Sequence, residues 1–113
     1  MSYKLNNNWT LWFHEINNTN WKLSSYKKIY KFNDLESFFS LYRRINNFTA
    51  GMFFLMKENI LPIWEARENI NGGYWSFKIS KNIINKTWKD ISSQLIGGTL
   101  IKEEYYQYLN GIS

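Results

Sequence analysis

The segment Leu61-Pro62-Ile63-Trp64-Glu65 places an indole directly before a carboxylate, just after the only proline in the chain. Proline fixes its own φ and pushes the residue before it towards extended geometry, so this segment predicts the end of a strand. A polar run follows it. Trp64 is therefore expected on a loop, where an indole is poorly placed to fill a core.

An indole with an acid beside it suits the binding of a purine base. The ring can stack on the base, and the carboxylate can accept hydrogens from the donors on the Watson–Crick edge of guanine. The alternative is that Trp64 caps the core and Glu65 is solvated, because most tryptophans are largely buried. These five residues alone leave both interpretations open.

Composition sets the scale of the molecule. The 113 residues, of which 44% are hydrophobic, suffice for one domain with a modest core and are too few for two. Aromatic residues make up 19%, more than a small core needs, so some rings should be exposed for binding. The net charge of +5 is compatible with phosphate or nucleic-acid partners.

Several functional classes are disfavoured by what the sequence lacks. The chain has no cysteine, which excludes disulfides and cysteine-based zinc sites. His14, the only histidine, has no second ligand near it, so a surface or strand-edge position is expected instead of a metal role. The acids show no metal-ligand spacing, and we expect no enzyme, cofactor or metal. No signal peptide or membrane-length run is present, which favours a cytoplasmic protein without a membrane partner.

Hydrophobic alternation predicts the strands. Residues 1–8 are expected to be an arm leading into a single domain over residues 9–113. The first strand, residues 9–16, should carry Trp9, Leu11 and Phe13 on one face and Thr10, Trp12 and His14 on the other. Further strands are predicted over residues 26–32, with a basic face, and over 52–56, 60–64, 74–80 and from 111 onward.

Two helices and a short helical piece are predicted between these strands. Asn33 is the expected cap of the first helix, and Glu36 completes a capping-box pattern. An apolar stripe follows, made of Leu35, Phe38, Phe39, Tyr42 and Ile45. The second helix should begin near Thr87 and end at Gly97-Gly98. A short helical piece is expected over residues 101–109.

Trp21 is a second tryptophan outside any apolar period. It ends the polar loop formed by residues 17–20, and Lys22 follows it. The ring could fold back on the sheet or remain available to a ligand, as Trp64 could.

Taken in order, these pieces resemble the messenger-RNA cap-binding translation initiation factor 4E family. The fragments that carry the resemblance are Asn8-Trp9-Thr10-Leu11-Trp12-Phe13, Asn20-Trp21, Leu35-Glu36-Ser37-Phe38-Phe39-Ser40-Leu41-Tyr42, Ile63-Trp64-Glu65, Gly72-Gly73-Tyr74-Trp75 and Leu95-Ile96-Gly97. Each fragment alone is weak, whereas their order and spacing together are fairly specific.

The resemblance implies an α+β fold, a curved antiparallel sheet with helices packed on its convex face. Trp21 and Trp64 match the indoles that sandwich 7-methylguanine, and Glu65 matches the acid that accepts the hydrogens of the base. The implied function is binding of capped messenger RNA in translation initiation or its regulation. No bond is made or broken, so the implied role is recognition and not catalysis.

The resemblance covers the whole chain but only about the first 60% of an ordinary family domain. The last strands are absent, together with the arginine and lysine residues that hold the phosphates of the cap. Tyr74 stands where the family has another arginine. The chain could be a fragment, be completed by a second chain, or be a reduced homologue.

The convex face of the family takes a helical peptide from an initiation factor 4G-like scaffold or a repressor. The matching positions here are Leu35, Phe39 and Asp90, with Phe39 replacing a tryptophan. Lys89 and Ser93 replace apolar residues, so we expect partner choice to have diverged. An alternative function follows: an interaction protein that keeps the fold and this surface but binds the cap weakly, as a decoy or as a subunit of a larger assembly.

Overall fold

A computed structural model describes residues 3–45 and 47–113. Its elements, in chain order, are β1 (Lys4–His14), β2 (Lys27–Asp34), α1 (Leu35–Arg44), β3 (Met52–Lys57), α2 (Ile84–Gly97) and β4 (Gly111–Ile112). Two short 3-10 helices cover Leu23–Ser25 and Glu103–Tyr108 within the described residues. The strands described form one antiparallel sheet of four in the order β2-β1-β3-β4. The predicted α+β class is confirmed.

The core lies between the sheet and the helices. Trp9 and Leu11 of β1 are each 1% exposed, and they pack with Phe38 of α1 and Leu95 of α2. Full burial of each such side chain stabilises the fold by about 1.5–3 kcal/mol. The alternation of β1 therefore places its apolar residues as predicted, and the two helices cover that face of the sheet.

The other face of the sheet, here called the open face, is formed by Thr10, Trp12 and His14 of β1 and by their respective partners Met56, Phe54 and Met52 of β3. Trp12 and Met56 form a second, smaller apolar cluster with Ile60, which follows β3. Residues 60–64 were expected to form a strand. That expectation was wrong, because the segment turns and packs on the open face without joining the sheet.

The helix ends follow local chemistry. The side chain of Asp34 accepts a hydrogen bond from the Ser37 backbone N–H at 2.7 Å, so the cap lies one residue later than the predicted Asn33. Helix α2 ends at Gly97, and Gly98 caps it with a φ of 79°, which is strained for any residue with a Cβ. The hydroxyl groups of Tyr42 and Ser92 hydrogen-bond to each other and join the two helices.

Two segments differ from the expected elements. Residues 4–8, expected as an arm, belong to β1, with Lys4 paired to Asp34. The predicted strand over residues 74–80 was wrong, and Trp75 within it is 93% exposed. Its alternation is genuine, but a strand needs a paired neighbour, and residues 74–80 pair with none of the four strands of the described sheet.

Candidate functional site

The polar loop after β1 is ordered by its own side chains. Asn18 Oδ1 accepts from the Asn20 backbone N–H at 2.9 Å, and Asn20 Oδ1 accepts from the Lys22 backbone N–H at 3.0 Å. The Ser25 hydroxyl lies 2.6 Å from the Asn20 carbonyl oxygen and 2.8 Å from that of Lys22. These contacts flank Trp21 on both sides and fix its backbone before any ligand arrives.

The Trp21 ring is stacked on one face and open on the other. Its inner face lies parallel to the imidazole of His14, with centroids 4.2 Å apart and planes 7° apart. Its exposed fraction is 48%. Trp21 therefore combines the two alternatives: the ring folds back on the sheet and still leaves its outer face available for stacking.

His14 is fully buried, so the predicted surface or strand-edge position was wrong. The alternation of β1 correctly placed it on the open face beside Trp12. Burial follows because Trp21 and Tyr26 both cover it, the ring of Tyr26 at 4.7 Å. A covering loop is a tertiary feature that strand periodicity does not reveal.

Tyr26 connects the Trp21 loop with the segment after β3. Its ring lies 6.4 Å from Trp21 and 5.4 Å from Phe54, centroid to centroid. Burial raises the pKa of the Tyr26 phenol, and the negative charge of Glu65 raises it further. Glu65 therefore lies close enough to act on Tyr26, and the fold brings this predicted acid to the side of the Trp21 loop. Sequence reasoning missed Tyr26, which appeared only as the first residue of a strand.

The loop that carries Trp64 and Glu65 is held from within. Asn69 Nδ2 donates to the carbonyl oxygens of Leu61 at 2.9 Å and Ile63 at 2.8 Å. Asn69 Oδ1 in turn accepts from Asn110 Nδ2 at 2.8 Å. The loop is thus closed by one asparagine and tied to the residue before β4.

Trp64 itself is 74% exposed, which is inconsistent with the alternative that it caps the core. Glu65 is exposed as well. The site therefore offers one open indole face on each of two loops and a solvent-facing carboxylate on the loop that reaches Tyr26. Such a set can hold a flat ring whose edge carries hydrogen-bond donors.

The basic face predicted for the second strand lies on the open face of the sheet. Lys28 pairs with Trp12, and Lys31 pairs with Thr10. The Lys28 ammonium lies 5.2 Å from the centroid of the Trp12 ring, within the range of a cation–π contact. These lysines give the face a positive charge beside the site.

The candidate partner residues lie on the helices that cover the other face. Leu35 is half-buried against the core, and Phe39 is 43% exposed, with its ring on the edge of Phe38. Asp90 of α2 is exposed and pairs with Lys86 at 3.1 Å. Phe39 and Asp90 are thus available at the surface, while Leu35 is largely engaged in the fold.

In residues 3–45 and 47–113, no three or more His, Cys, Asp or Glu side chains form a group that could hold a metal ion. No helix within those ranges has both the length and the apolar character needed to cross a membrane.

Comparison with known proteins gives relatives of one kind. The family model described as Eukaryotic initiation factor 4E matches residues 4–113. Eukaryotic translation initiation factor 4E-1 of Caenorhabditis elegans is 32% identical over 105 residues, which are 84% of this chain and 49% of the relative. The Candida albicans factor 4E is 33% identical over 122 residues, covering 97% of this chain and 57% of the relative. The chain spans about half the length of the curated relatives it matches.

Solved structures agree with the sequence comparison. The complex of C. elegans eIF4E-3 with the 4E-binding protein Mextli and a cap analog superposes with a TM-score of 0.86 at 26% identity, over 98% of this chain and 65% of that one. Ascaris suum eIF4E-3 with m7G cap superposes with a TM-score of 0.85, at the same identity and coverage. With a family model matched over residues 4–113, this chain belongs to the eukaryotic initiation factor 4E family.

Proposed function

We propose that this chain binds the 7-methylguanosine cap of messenger RNA and acts in translation initiation or its regulation in the cytoplasm. The observation that carries the proposal is that Trp21 and Trp64 are exposed, while Glu65 beside Trp64 acts on Tyr26, whose ring lies 6.4 Å from that of Trp21. The cap complex of the Ascaris suum relative supports it. The ligand is bound and released unchanged, so the proposed role is not enzymatic.

The base stacks between Trp21 and Trp64. Methylation of guanine at N7 gives the base a positive charge, so each indole face adds a cation–π attraction of about 0.5–2 kcal/mol to plain stacking. Because His14 already covers the inner face of Trp21, the base uses the outer face. The proposed sandwich thus needs only one free face from each indole.

Glu65 determines the specificity for guanine. Its carboxylate accepts from the imino and amino hydrogens of guanine in a charge-assisted, bidentate contact. Adenine cannot donate both hydrogens and would leave the carboxylate partly unpaired, at a cost of roughly 1–3 kcal/mol. Charge on the base therefore favours the methylated ring, and Glu65 favours guanine.

The helical face takes the protein partner in this proposal. The C. elegans relative has been solved with the 4E-binding protein Mextli, and this chain presents Phe39 on α1 and Asp90 on α2 at its surface. A helical peptide of a factor 4G-like scaffold or of a repressor is the proposed occupant. A second chain that completes the fold is a further proposed partner.

Capped RNA tests the nucleic-acid function directly. Fluorescence anisotropy is measured with one short labelled RNA carrying either a 7-methylguanosine cap or a 5′-triphosphate. We expect the capped RNA to bind more tightly, by at least about tenfold given the added cation–π and carboxylate contacts. Equal affinity for the two RNAs would mean that binding depends on the backbone alone and would contradict the proposal.

Tyr74 favours a second candidate function. It is 90% exposed and stands where the resemblance expects an arginine for the phosphates. A chain that binds the cap weakly and still binds a helical peptide would be an interaction protein, acting as a decoy or as a subunit. Peptide binding without a preference for capped RNA would select this alternative.

A further inference from the structure

The buried imidazole of His14 contacts carbonyl oxygens with both of its nitrogens. Nδ1 lies 2.9 Å from the Glu15 carbonyl oxygen, and Nε2 lies 2.7 Å from that of Asn20. A carbonyl oxygen can only accept a hydrogen bond, and a neutral imidazole donates from only one nitrogen. The doubly protonated, positively charged ring is the form that can satisfy both contacts.

Ser25 does not change this conclusion. Its hydroxyl lies 3.1 Å from His14 Nε2, and it also lies 2.6 Å from the Asn20 carbonyl oxygen and 2.8 Å from that of Lys22. Its single hydrogen is needed by those carbonyls, which leaves an oxygen lone pair towards the ring. Nε2 is therefore surrounded by acceptors.

The groups that face His14 from neighbouring elements are polar backbone and aromatic rings. Tyr26 contributes its ring at 4.7 Å, and Met52 of β3 pairs opposite His14. Glu15 contributes its carbonyl oxygen, while its carboxylate pairs with Lys27 at 3.3 Å. The negative charge of Glu65 raises the pKa of the Tyr26 phenol. The His14 ring thus lies against the inner face of Trp21, and the carboxylate of Glu15 is paired with Lys27.

We propose that His14 is a specificity-determining residue of the base-stacking site, because the proton that it carries sets how strongly Trp21 favours a cationic base over a neutral one. This inference rests on the proposed function. The two faces of an indole share one π system, so a cation on the inner face weakens the attraction for a second cation on the outer face. The two charges also repel each other across the ring. A neutral base experiences neither effect.

His14→Phe removes the charge together with the contacts to the Glu15 and Asn20 carbonyl oxygens, and the loss of those contacts affects both nucleotides alike. The variant keeps an aromatic ring against Trp21 and removes the proton. Dissociation constants are measured for wild type and variant with 7-methylguanosine triphosphate and guanosine triphosphate, from about pH 5.5 to about pH 8, where histidines change charge. The two ligands carry the same phosphates, and ionisation of the methylated base is the same for both proteins.

We expect the wild-type preference for the methylated ligand to fall at low pH, by about 3- to 10-fold relative to His14→Phe. A wild-type preference that is lower than that of the variant at every pH also supports the proposal, since the ring is then charged throughout. The same preference in both proteins across the whole range would overturn it. Failure of wild type to bind either nucleotide would instead overturn the proposed function.

A second measurement applies if His14→Phe does not fold. His14 is the only histidine in the sequence, so its ring nitrogens give unambiguous NMR signals in the wild-type chain. With bound nucleotide at one pH in the same range, we expect a larger neutral fraction of His14 with 7-methylguanosine triphosphate than with guanosine triphosphate, by reciprocity of the two effects. Equal fractions would contradict the inference.

Discussion

The rings of Trp21 and His14 lie face to face, 4.2 Å and 7° apart, and this closes one side of the indole to any ligand. The other side stays open on a loop that Asn18, Asn20 and Ser25 already order. Ordering a loop on binding costs affinity, so a fixed platform retains more of the stacking energy. The Trp21 side of the site is therefore prepared before the ligand arrives.

The contact between Glu65 and Tyr26 can be tested without ligand. Since the charge of Glu65 raises the pKa of the Tyr26 phenol, Glu65→Gln should lower that pKa towards its ordinary value. Burial, the larger cause, stays in place, so the pKa should remain raised in part. Phenolate absorbance, taken as the difference between each protein and its Tyr26→Phe version, measures the change.

Glu68→Gln is the matched control for that titration, because Glu68 is an exposed acid in the same segment. It should leave the Tyr26 titration unchanged. If Glu65→Gln also leaves the curve unchanged, the acid does not reach Tyr26 and the two halves of the site are not joined as described.

Asn69→Ala should loosen the loop that carries Trp64. The substitution removes the donors to the Leu61 and Ile63 carbonyl oxygens and the acceptor for Asn110. A loss of about 1–3 kcal/mol of stability is expected, together with faster amide exchange over residues 61–66. Hydrogen-exchange mass spectrometry provides the readout, with the exposed Asn71→Ala as the control. Unchanged exchange over that segment would show that other contacts hold the loop.

The raised pKa of Tyr42 predicts that the fold loses stability in alkali. Burial raises the pKa of its phenol to about 12, against an ordinary value of 10.0. Between these values the folded chain keeps a proton that the unfolded chain loses, so the free energy of unfolding falls as the pH rises, by roughly 1 kcal/mol per pH unit. Below about pH 10 the phenol is protonated in both states, and Tyr42 adds no pH dependence there.

Urea unfolding at pH 9 to 12 measures this effect. Tyr42→Phe should flatten the alkaline decline in the free energy of unfolding, because the variant has no phenol to ionise at this position. Ser92 keeps its hydrogen bond to the Trp88 carbonyl oxygen at 2.7 Å, so its hydroxyl group is not left unpaired. Tyr108→Phe changes a tyrosine that is 74% exposed, and the stability of this variant should fall with pH as that of wild type does. A steep decline that persists in Tyr42→Phe would assign the effect to another group.

The phenylalanine at position 39 predicts weaker binding of a factor 4G peptide. It presents a smaller ring than the tryptophan expected from the resemblance and is 43% exposed on α1. We expect a helical factor 4G peptide to bind this chain about tenfold more weakly than it binds the C. elegans factor 4E-1, and Phe39→Trp to recover part of the loss. Calorimetry measures both, and Phe77→Trp, at an exposed phenylalanine outside the helices, is the control. Equal affinity of the two wild-type proteins would refute the divergence.

Local patterns predicted much of this fold. The alternation over Trp9, Leu11 and Phe13, and the apolar stripe of the first helix, correctly identified the face that the helices cover. Gly98 ends α2 as the Gly-Gly pair indicated. These features depend on neighbours along the chain, which is why the sequence alone reveals them.

The failures involve partners that are distant in sequence. His14 is buried because Trp21 and Tyr26 fold over it, and residues 74–80 form no strand because they pair with none of the four described strands. The candidate site shows the same division. Trp21, Trp64 and Glu65 were predicted through the resemblance, whereas the supporting roles of His14 and Tyr26 emerge only from the packing.

The central claim is that Trp21 and Trp64 stack on a methylated guanine that Glu65 binds, and a tryptophan-fluorescence titration tests it most directly. Wild type, Trp21→Ala, Trp64→Ala and Glu65→Gln are titrated with 7-methylguanosine triphosphate and with guanosine triphosphate. Trp75→Ala, at a tryptophan that is 93% exposed, is the matched control. We predict strong quenching of wild type and of the control that favours the methylated ligand, and a loss of roughly 10- to 100-fold in affinity in each of the other three variants. Equal quenching by the two nucleotides, or full affinity in Trp21→Ala and Trp64→Ala, would contradict the account.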